Sequence, residues 1–253
     1  MIIIYSVMRQ GSSYFTYLSQ HLLELDIRSE LFHRGELVSE DFLIDNTDID
    51  LIDYKKNNPI TYLQNNYPTR YPYFGFKMLQ EQMGEMVSGT TQDICELFDK
   101  HFNVYPIILM RRPIDSYISL LKMQQITDDY KQDTTHIQVE IDTDKFLGYW
   151  NDCNYFLSNV YDYYRDRALV VSYANFANKS TNEAILYIQG LLRNKWNIFS
   201  TVGGSAKLTV KQDKNIESSH SVTNWQTFLH EMSERNETWK LDYYPFLDDV
   251  NLK

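Results

Sequence analysis

At 253 residues, 43% apolar and 15% aromatic, the chain has enough hydrophobic material for a folded domain with a full core, which excludes a disordered or fibrous protein. Its net charge of −10 argues against DNA or RNA as a partner, because neutralising a polyphosphate takes a basic face. No window approaches the roughly 18 uninterrupted apolar residues of an integral membrane segment, and with a strand-like run at the start no signal peptide is expected. Cys95 and Cys153 lack metal spacing and are expected to be reduced core residues, so a cytoplasmic setting is expected.

Met1-Ile2-Ile3-Ile4-Tyr5 reads as a buried strand. It runs into Ser6-Val7-Met8-Arg9-Gln10-Gly11-Ser12-Ser13-Tyr14, a tight turn with one glycine and two hydroxyls ahead of a helix. A strand, a turn and a helix N-terminus can hold an anion on backbone N–H donors. Arg9 adds a fixed charge that forms paired hydrogen bonds to phosphate or sulfate oxygens. The loop is not a Walker A motif, since no Gly-Lys-Ser/Thr follows at the required spacing. Tyr14, Leu18, Leu22 and Leu25 recur at helical spacing and are expected to face a sheet. Residues 38–72, polar and carrying Pro59, Pro68 and Pro72, read as irregular structure with short helices beside an acceptor cleft. Tyr73-Phe74-Gly75-Phe76-Lys77-Met78 reads as a further strand, and residues 90–101 as a helix packed on the sheet.

Val104 to Met110 is a second short apolar run with β-branched residues, again a strand. It ends at Arg111-Arg112-Pro113-Ile114-Asp115-Ser116-Tyr117-Ile118-Ser119, where Pro113 suits the first turn of a helix. The polar, acidic stretch between Ile126 and Thr143 is a candidate mobile loop. A helix follows from about Lys145 to Tyr164, then a strand over Ala168–Tyr173. Ser180-Thr181-Asn182-Glu183 has the spacing of a capping box opening a helix through Leu192. Strands alternating with helices imply a parallel sheet with ligands at the strand C-terminal ends. Arg9, Lys77, Arg111 and Tyr173 all fall at or just beyond such ends, and that convergence predicts one site.

Arg9-Gln10-Gly11-Ser12-Ser13-Tyr14 resembles the 5′-phosphosulfate loop of sulfotransferases at every position. Arg111, followed eight residues later by Ser119, resembles the pair that contacts the donor's 3′-phosphate in that family, with Pro113 and Asp115 in register. The two patterns occur together, in order, about a hundred residues apart. The resemblance implies a single domain over residues 1–253 with a P-loop-like three-layer α/β/α fold around a central parallel sheet. Irregular acceptor-side insertions are expected at about 38–72 and 126–144. It further implies 3′-phosphoadenosine 5′-phosphosulfate (PAPS) as donor, 3′-phosphoadenosine 5′-phosphate (PAP) as product, no metal, and a small-molecule or glycan hydroxyl as acceptor. Arg9, Gln10, Gly11, Ser12, Ser13, Tyr14, Arg111 and Ser119 would bind the nucleotide. Tyr173 resembles the tyrosine of the family's Tyr-Glu-x-Leu element, although Ala174 stands where the acidic residue belongs. Lys211 and Gln212 resemble the late basic segment of bacterial members, and the Arg-Lys-Gly triplet of cytosolic members is absent.

Sulfuryl transfer needs a deprotonated acceptor hydroxyl, neutralised charge on the moving group and a good leaving phosphate, so positioning and electrostatics dominate. Arg9 is the candidate for the charge, and Lys77 for the sulfuryl group or the acceptor. The base stays open between two residues. His33-Arg34-Gly35-Glu36-Leu37 resembles the glutamate-bearing stretch of bacterial carbohydrate sulfotransferases of the nodulation and trehalose types, which makes Glu36 the first candidate and His33 the second. The expectation of a carbohydrate acceptor rests on that stretch. A P-loop-type nucleotide kinase or NTPase and a catalytically silent nucleotide-binding protein remain as other readings. The missing Gly-Lys-Ser/Thr, and the lack of an obvious magnesium-holding carboxylate after a strand, count against the kinase.

Overall fold

The computed structural model describes residues 1–32, 36–39, 42–45, 49–66, 72–83, 87–126, 133–203 and 218–249. In chain order these form β1 (Ile2–Ser6), α1 (Ser12–Ser19), β2 (Leu25–Glu30), β3 (Glu36–Ser39), β4 (Phe42–Asp45), α2 (Ile49–Asn57) and α3 (Pro59–Asn66). There follow β5 (Tyr73–Leu79), α4 (Thr91–His101), β6 (Tyr105–Met110), α5 (Pro113–Gln124) and α6 (Thr143–Tyr164). The chain continues with β7 (Leu169–Ser172), α7 (Ala174–Ala177), α8 (Thr181–Trp196) and α9 (Trp225–Glu234). Its contacts gather into two compact units, one of Met1–Val7, Gly11–Met110 and Phe156–Lys207, the other of Met8–Gln10, Arg111–Tyr155 and Leu208–Lys253.

The first unit is built on a five-stranded sheet in the order β2-β5-β1-β6-β7, with every neighbouring pair parallel. Buried parallel strands need apolar residues on both faces, and β1 is buried at all five positions. Ile2 and Ile4 join Phe15 and Leu18 of α1 and Ile185 and Ile188 of α8 in one core. Side chains alternate across a strand, so the intervening residues serve the opposite face. There Phe76 of β5, the register partner of Ile3, meets Phe98 of α4 at 5.8 Å between ring centroids. Tyr5 pairs its hydroxyl with that of Tyr164 at the end of α6, 2.9 Å away. Helices thus cover both faces, and the expected three-layer α/β/α, P-loop-like arrangement is the one observed. Cys95 and Cys153 are both buried and outside any disulfide, and burial pushes the Cys95 thiol up to about 12. The box at Ser180 forms as its spacing predicts, with Ser180 accepting from the Glu183 N–H and the Glu183 carboxylate accepting from the Ser180 N–H.

Three expectations need correction. The helix does not run on to Leu25: α1 stops at Ser19, whose hydroxyl turns back to the Phe15 carbonyl at 2.8 Å, a bond that competes with continued helix. Leu25 then opens β2, where Leu25 and Ile27 alternate with Asp26 and Arg28. Residues 38–72 carry the expected short helices, α2 and α3, but also two strands that were not expected: β3 and β4 pair antiparallel from Glu36 opposite Asp45 to Ser39 opposite Phe42. The stretch before Thr143 is packed where it is described: Val139 and Ile141 are 2% and 3% exposed, and Val139 bridges to Val222.

The second unit gathers α5, the first part of α6 and α9 around an aromatic line. Tyr117 meets Phe146, and Phe146 meets Phe228, each at 5.5 Å between centroids. Asn224, at the start of α9, uses its side chain as a two-way clamp rather than as a helix cap. Its amide oxygen accepts from the Ile141 N–H at 3.0 Å, and its amide nitrogen donates to the Ile141 carbonyl at 2.8 Å. Among the described residues no helix is long and apolar enough to cross a membrane.

Lys55 of α2 is fully buried and its ammonium has no hydrogen-bond partner among the described residues; it lies over the Tyr62 ring, 5.3 Å from the centroid. Burial lowers its pKa below the ordinary 10.5. A lowered folded-state pKa means that the unfolded chain binds the proton more readily. The penalty is therefore full below the folded pKa and fades as pH rises towards 10.5. Lys55→Met is expected to raise stability at pH 7 by about 1–3 kcal/mol and to flatten the gain in stability between pH 7 and 10. Urea unfolding at both pH values checks this, and a less stable variant with the wild-type pH slope would contradict it.

Candidate functional site

In the first unit the site begins at the C-terminal end of the central strand, where a parallel sheet presents its ligand-binding edge. Gly11 sits at φ +85° and is the N-cap of α1, with no side chain capping the helix. The first intrahelical bond runs from the Phe15 N–H to the Gly11 carbonyl at 3.0 Å, so the N–H groups of residues 12–14 are the free donors of a helix N-terminus. The Tyr173 ring lies directly against the glycine. A Cβ at position 11 would meet Tyr173 Cδ2 at 2.2 Å and Cε2 at 2.4 Å. Burial, then the neighbouring Tyr173, raises the Tyr14 phenol, with the Thr181 hydroxyl opposing. Tyr14 therefore stays neutral.

Lys77 approaches the same loop from β5. Its side chain is 3% exposed, and its ammonium donates to Ser13 Oγ at 3.2 Å and pairs with Glu30 Oε1 at 2.6 Å. A bulge puts the carboxylate there: the β2–β5 register passes from Arg28 opposite Phe76 directly to Glu30 opposite Lys77, one residue gained on β2. Gln82 fixes the other carboxylate oxygen, donating to Glu30 Oε2 at 3.1 Å. Lys77 is thus a buried bridge between a loop hydroxyl and a carboxylate, two residues inside the strand rather than at its end.

In the second unit Arg9, Arg111 and Ser119 come together. Arg9 has φ +68°, a conformation costing a non-glycine residue about 1–2 kcal/mol. Its carbonyl accepts from Arg111 Nη1 at 3.4 Å, and its own Nε donates to Ser119 Oγ at 3.2 Å. Pro113 stands at the first turn of α5, as expected, and the helix carries Ser119 two turns on. Gln10 is fully buried and donates from its amide to Tyr244 Oη at 3.3 Å. Arg112, beside Arg111, turns the other way and pairs with Asp242 at 2.5 Å.

The structure therefore joins Arg9 with Arg111 and Ser119 in one unit, and Gly11, Ser13 and Lys77 with Tyr173 and Glu30 in the other. Ser12 is buried and Ser13 exposed. Glu36 is the first residue of β3. His33, Lys211 and Gln212 lie outside the described residues. Reading the sequence missed Glu30, Gln82 and Tyr244. The alternation of Leu25 and Ile27 with charged residues was the signal for the strand that carries Glu30. Among the described residues no cluster of three His, Cys, Asp or Glu side chains is placed to hold a metal.

No protein-family model matches the chain, and no curated protein matches it. Among solved structures it is similar to mouse sulfotransferase SULT7A1 complexed with PAP, at 9% identity and a TM-score of 0.41, over 100% of this chain and 85% of that one.

Gly11→Ala combines a left-handed backbone with a collision against the Tyr173 ring. It is expected to cost at least about 2 kcal/mol in urea unfolding, and less in a Tyr173→Ala background, where the ring is gone. Equal costs in both backgrounds would show that the ring is not what excludes a side chain.

Proposed function

We propose that the chain is a sulfotransferase that moves a sulfuryl group from PAPS to a hydroxyl, with a carbohydrate as the acceptor class. The observation that carries the reading is the meeting of Arg9 with Arg111 and Ser119, residues more than a hundred positions apart in the sequence. Two guanidinium forks and a hydroxyl in one place suit a nucleotide with phosphates at both ends, Arg111 and Ser119 for the 3′-phosphate and Arg9 for the 5′ side, each through charge-assisted bonds. Gly11 supports it too: the uncapped N-terminus of α1 behind it leaves N–H donors for the donor's 5′ side, and Gln10 and Tyr14 flank that loop. Lys211, Gln212 and Tyr173 complete the proposed nucleotide contacts.

Bound PAPS would supply an activated sulfuryl group whose leaving group is PAP. Arg9 stays protonated, so its part is to neutralise charge that develops on the bridging and sulfuryl oxygens rather than to give up a proton. Lys77, held by Ser13 and Glu30, fixes a second positive charge beside the loop. A general base takes the proton of the acceptor hydroxyl as the new O–S bond forms and the S–O bond to the leaving PAP breaks. Glu36 is the proposed base, with His33 as its alternate. Glu30 enters as a second candidate on a specific observation, since its Oε1 is one ammonium away from the loop hydroxyl of Ser13. A nucleotide kinase or NTPase is less well supported: the lysine beside this loop comes from β5 and not from the loop itself.

Calorimetric titration with PAP tests the donor site. Wild type is expected to bind, and Arg111→Ala to bind at least about tenfold more weakly, as loss of a charge-assisted contact of roughly 1.5–3 kcal/mol requires. Equal affinity would show Arg111 to be misassigned, and no binding by wild type would remove the reading. For the base, Glu36→Gln is expected to lower turnover with PAP affinity nearly unchanged. Unaltered turnover in Glu36→Gln, with loss in Glu30→Gln, would move the role to Glu30. Turnover that persists without magnesium separates sulfuryl transfer from a kinase.

A further inference from the structure

Beyond the residues assigned to the nucleotide, one segment of the second unit reaches both donor motifs, each time one residue away from the arginine proposed to bind. Tyr244 accepts from the Gln10 amide at 3.3 Å, next to Arg9. Asp242 pairs with Arg112 Nη2 at 2.5 Å and accepts from its Nε at 2.7 Å, next to Arg111. The segment is itself anchored. Tyr244 is fully buried and its ring stacks on Trp150 of α6, 6.2 Å between centroids and 18° between planes. Trp150 donates from its indole nitrogen to the Tyr243 carbonyl at 3.0 Å. Lys240 lies over the Trp150 ring at 4.6 Å, and Trp239 meets the same ring edge-on at 5.2 Å.

We infer that residues 239–244 are a strap that sets the donor site, with Tyr244 as the positioning residue for the Arg9-Gln10 turn and Asp242 for the Arg111-Arg112 corner. The physical need is specific. Arg9 occupies a backbone conformation that its own residue type resists, and the next residue, Gln10, is buried with a polar side chain. A lost bond at a buried amide is costly, so the Tyr244 hydroxyl contributes to where Gln10 rests and with it to the direction of Arg9. Asp242 works differently. It is exposed and adds little stability, but as the acceptor of two Arg112 nitrogens it fixes the residue before Pro113, where strand turns into helix. Because both contacts come from one short stretch, the two motifs are set together and not one by one. The strap rests on the sulfotransferase reading for its effect on PAP, although its grip on the loop does not.

Tyr244→Phe keeps the stack on Trp150 and removes only the hydroxyl. In the nucleotide-free full chain, hydrogen exchange of a peptide covering residues 8–14 is expected to speed up at least about fivefold, while a peptide from α9 is unchanged. PAP affinity is expected to fall about five- to tenfold. Asp242→Asn is expected to weaken PAP binding by about threefold with little change in the thermal midpoint. In the double variant the losses in PAP affinity should be non-additive, as for residues acting through one element. Unchanged exchange at residues 8–14 in Tyr244→Phe overturns the inference, whatever happens to PAP. If wild type fails to bind PAP while exchange in the variant rises as stated, the strap stands and the sulfotransferase reading falls.

Discussion

A positive φ at Arg9 is the constraint on which the loop proposed to hold the donor depends. A glycine would adopt that conformation freely, and an arginine does so only where its surroundings over-determine it. Here the Arg111 guanidinium takes its carbonyl, Ser119 takes its Nε, and Gln10 is pinned behind it by Tyr244. Such strain clusters at sites where a side chain must be aimed. The consequence is a guanidinium oriented by the fold itself, which is what the proposed electrostatic role requires.

The first unit meets its own requirement in a different way. Lys77 is almost fully buried, and a buried ammonium is costly unless an ionised or strongly polar partner meets it. Glu30 supplies the charge and Ser13 the second acceptor, while Gln82 holds the carboxylate from behind. The bulge in β2 is what makes the pairing possible, since without the extra residue the position opposite Lys77 would belong to Ser29. Lys55 shows the contrast: equally buried, it has no such carboxylate among the described residues, and burial lowers its pKa. One lysine is built into a polar chain that ends at the loop, and the other is a cost carried by α2.

How much of this the sequence disclosed follows from the range over which each signal acts. β1, β6 and β7 are continuous apolar runs, α5 begins at a proline and α8 at a capping box, and all of these are local patterns that survive folding. The spacing of Arg111 and Ser119 could be read for the same reason, because both lie on one turn-and-helix unit. β2 could not, because Leu18, Leu22 and Leu25 fit a helix as well as they fit a helix end followed by a strand. The β3–β4 hairpin lacks the Asn-Gly or Asp-Gly turn that announces such pairs. Glu30 becomes opposite to Lys77 only through a bulge, and Tyr244 meets Gln10 across 234 positions; neither relation has any local signature. The packing of Val139 and Ile141 was hidden inside a polar stretch, where two apolar residues with a distant partner look like exceptions.

The most direct measurement is a crystal structure of the full chain with PAP. The 3′-phosphate is expected against the Arg111 guanidinium and the Ser119 hydroxyl, with the 5′-phosphate on the Arg9 guanidinium and the N–H groups that open α1. A nucleotide bound with its phosphates away from all three of those side chains would contradict the central claim.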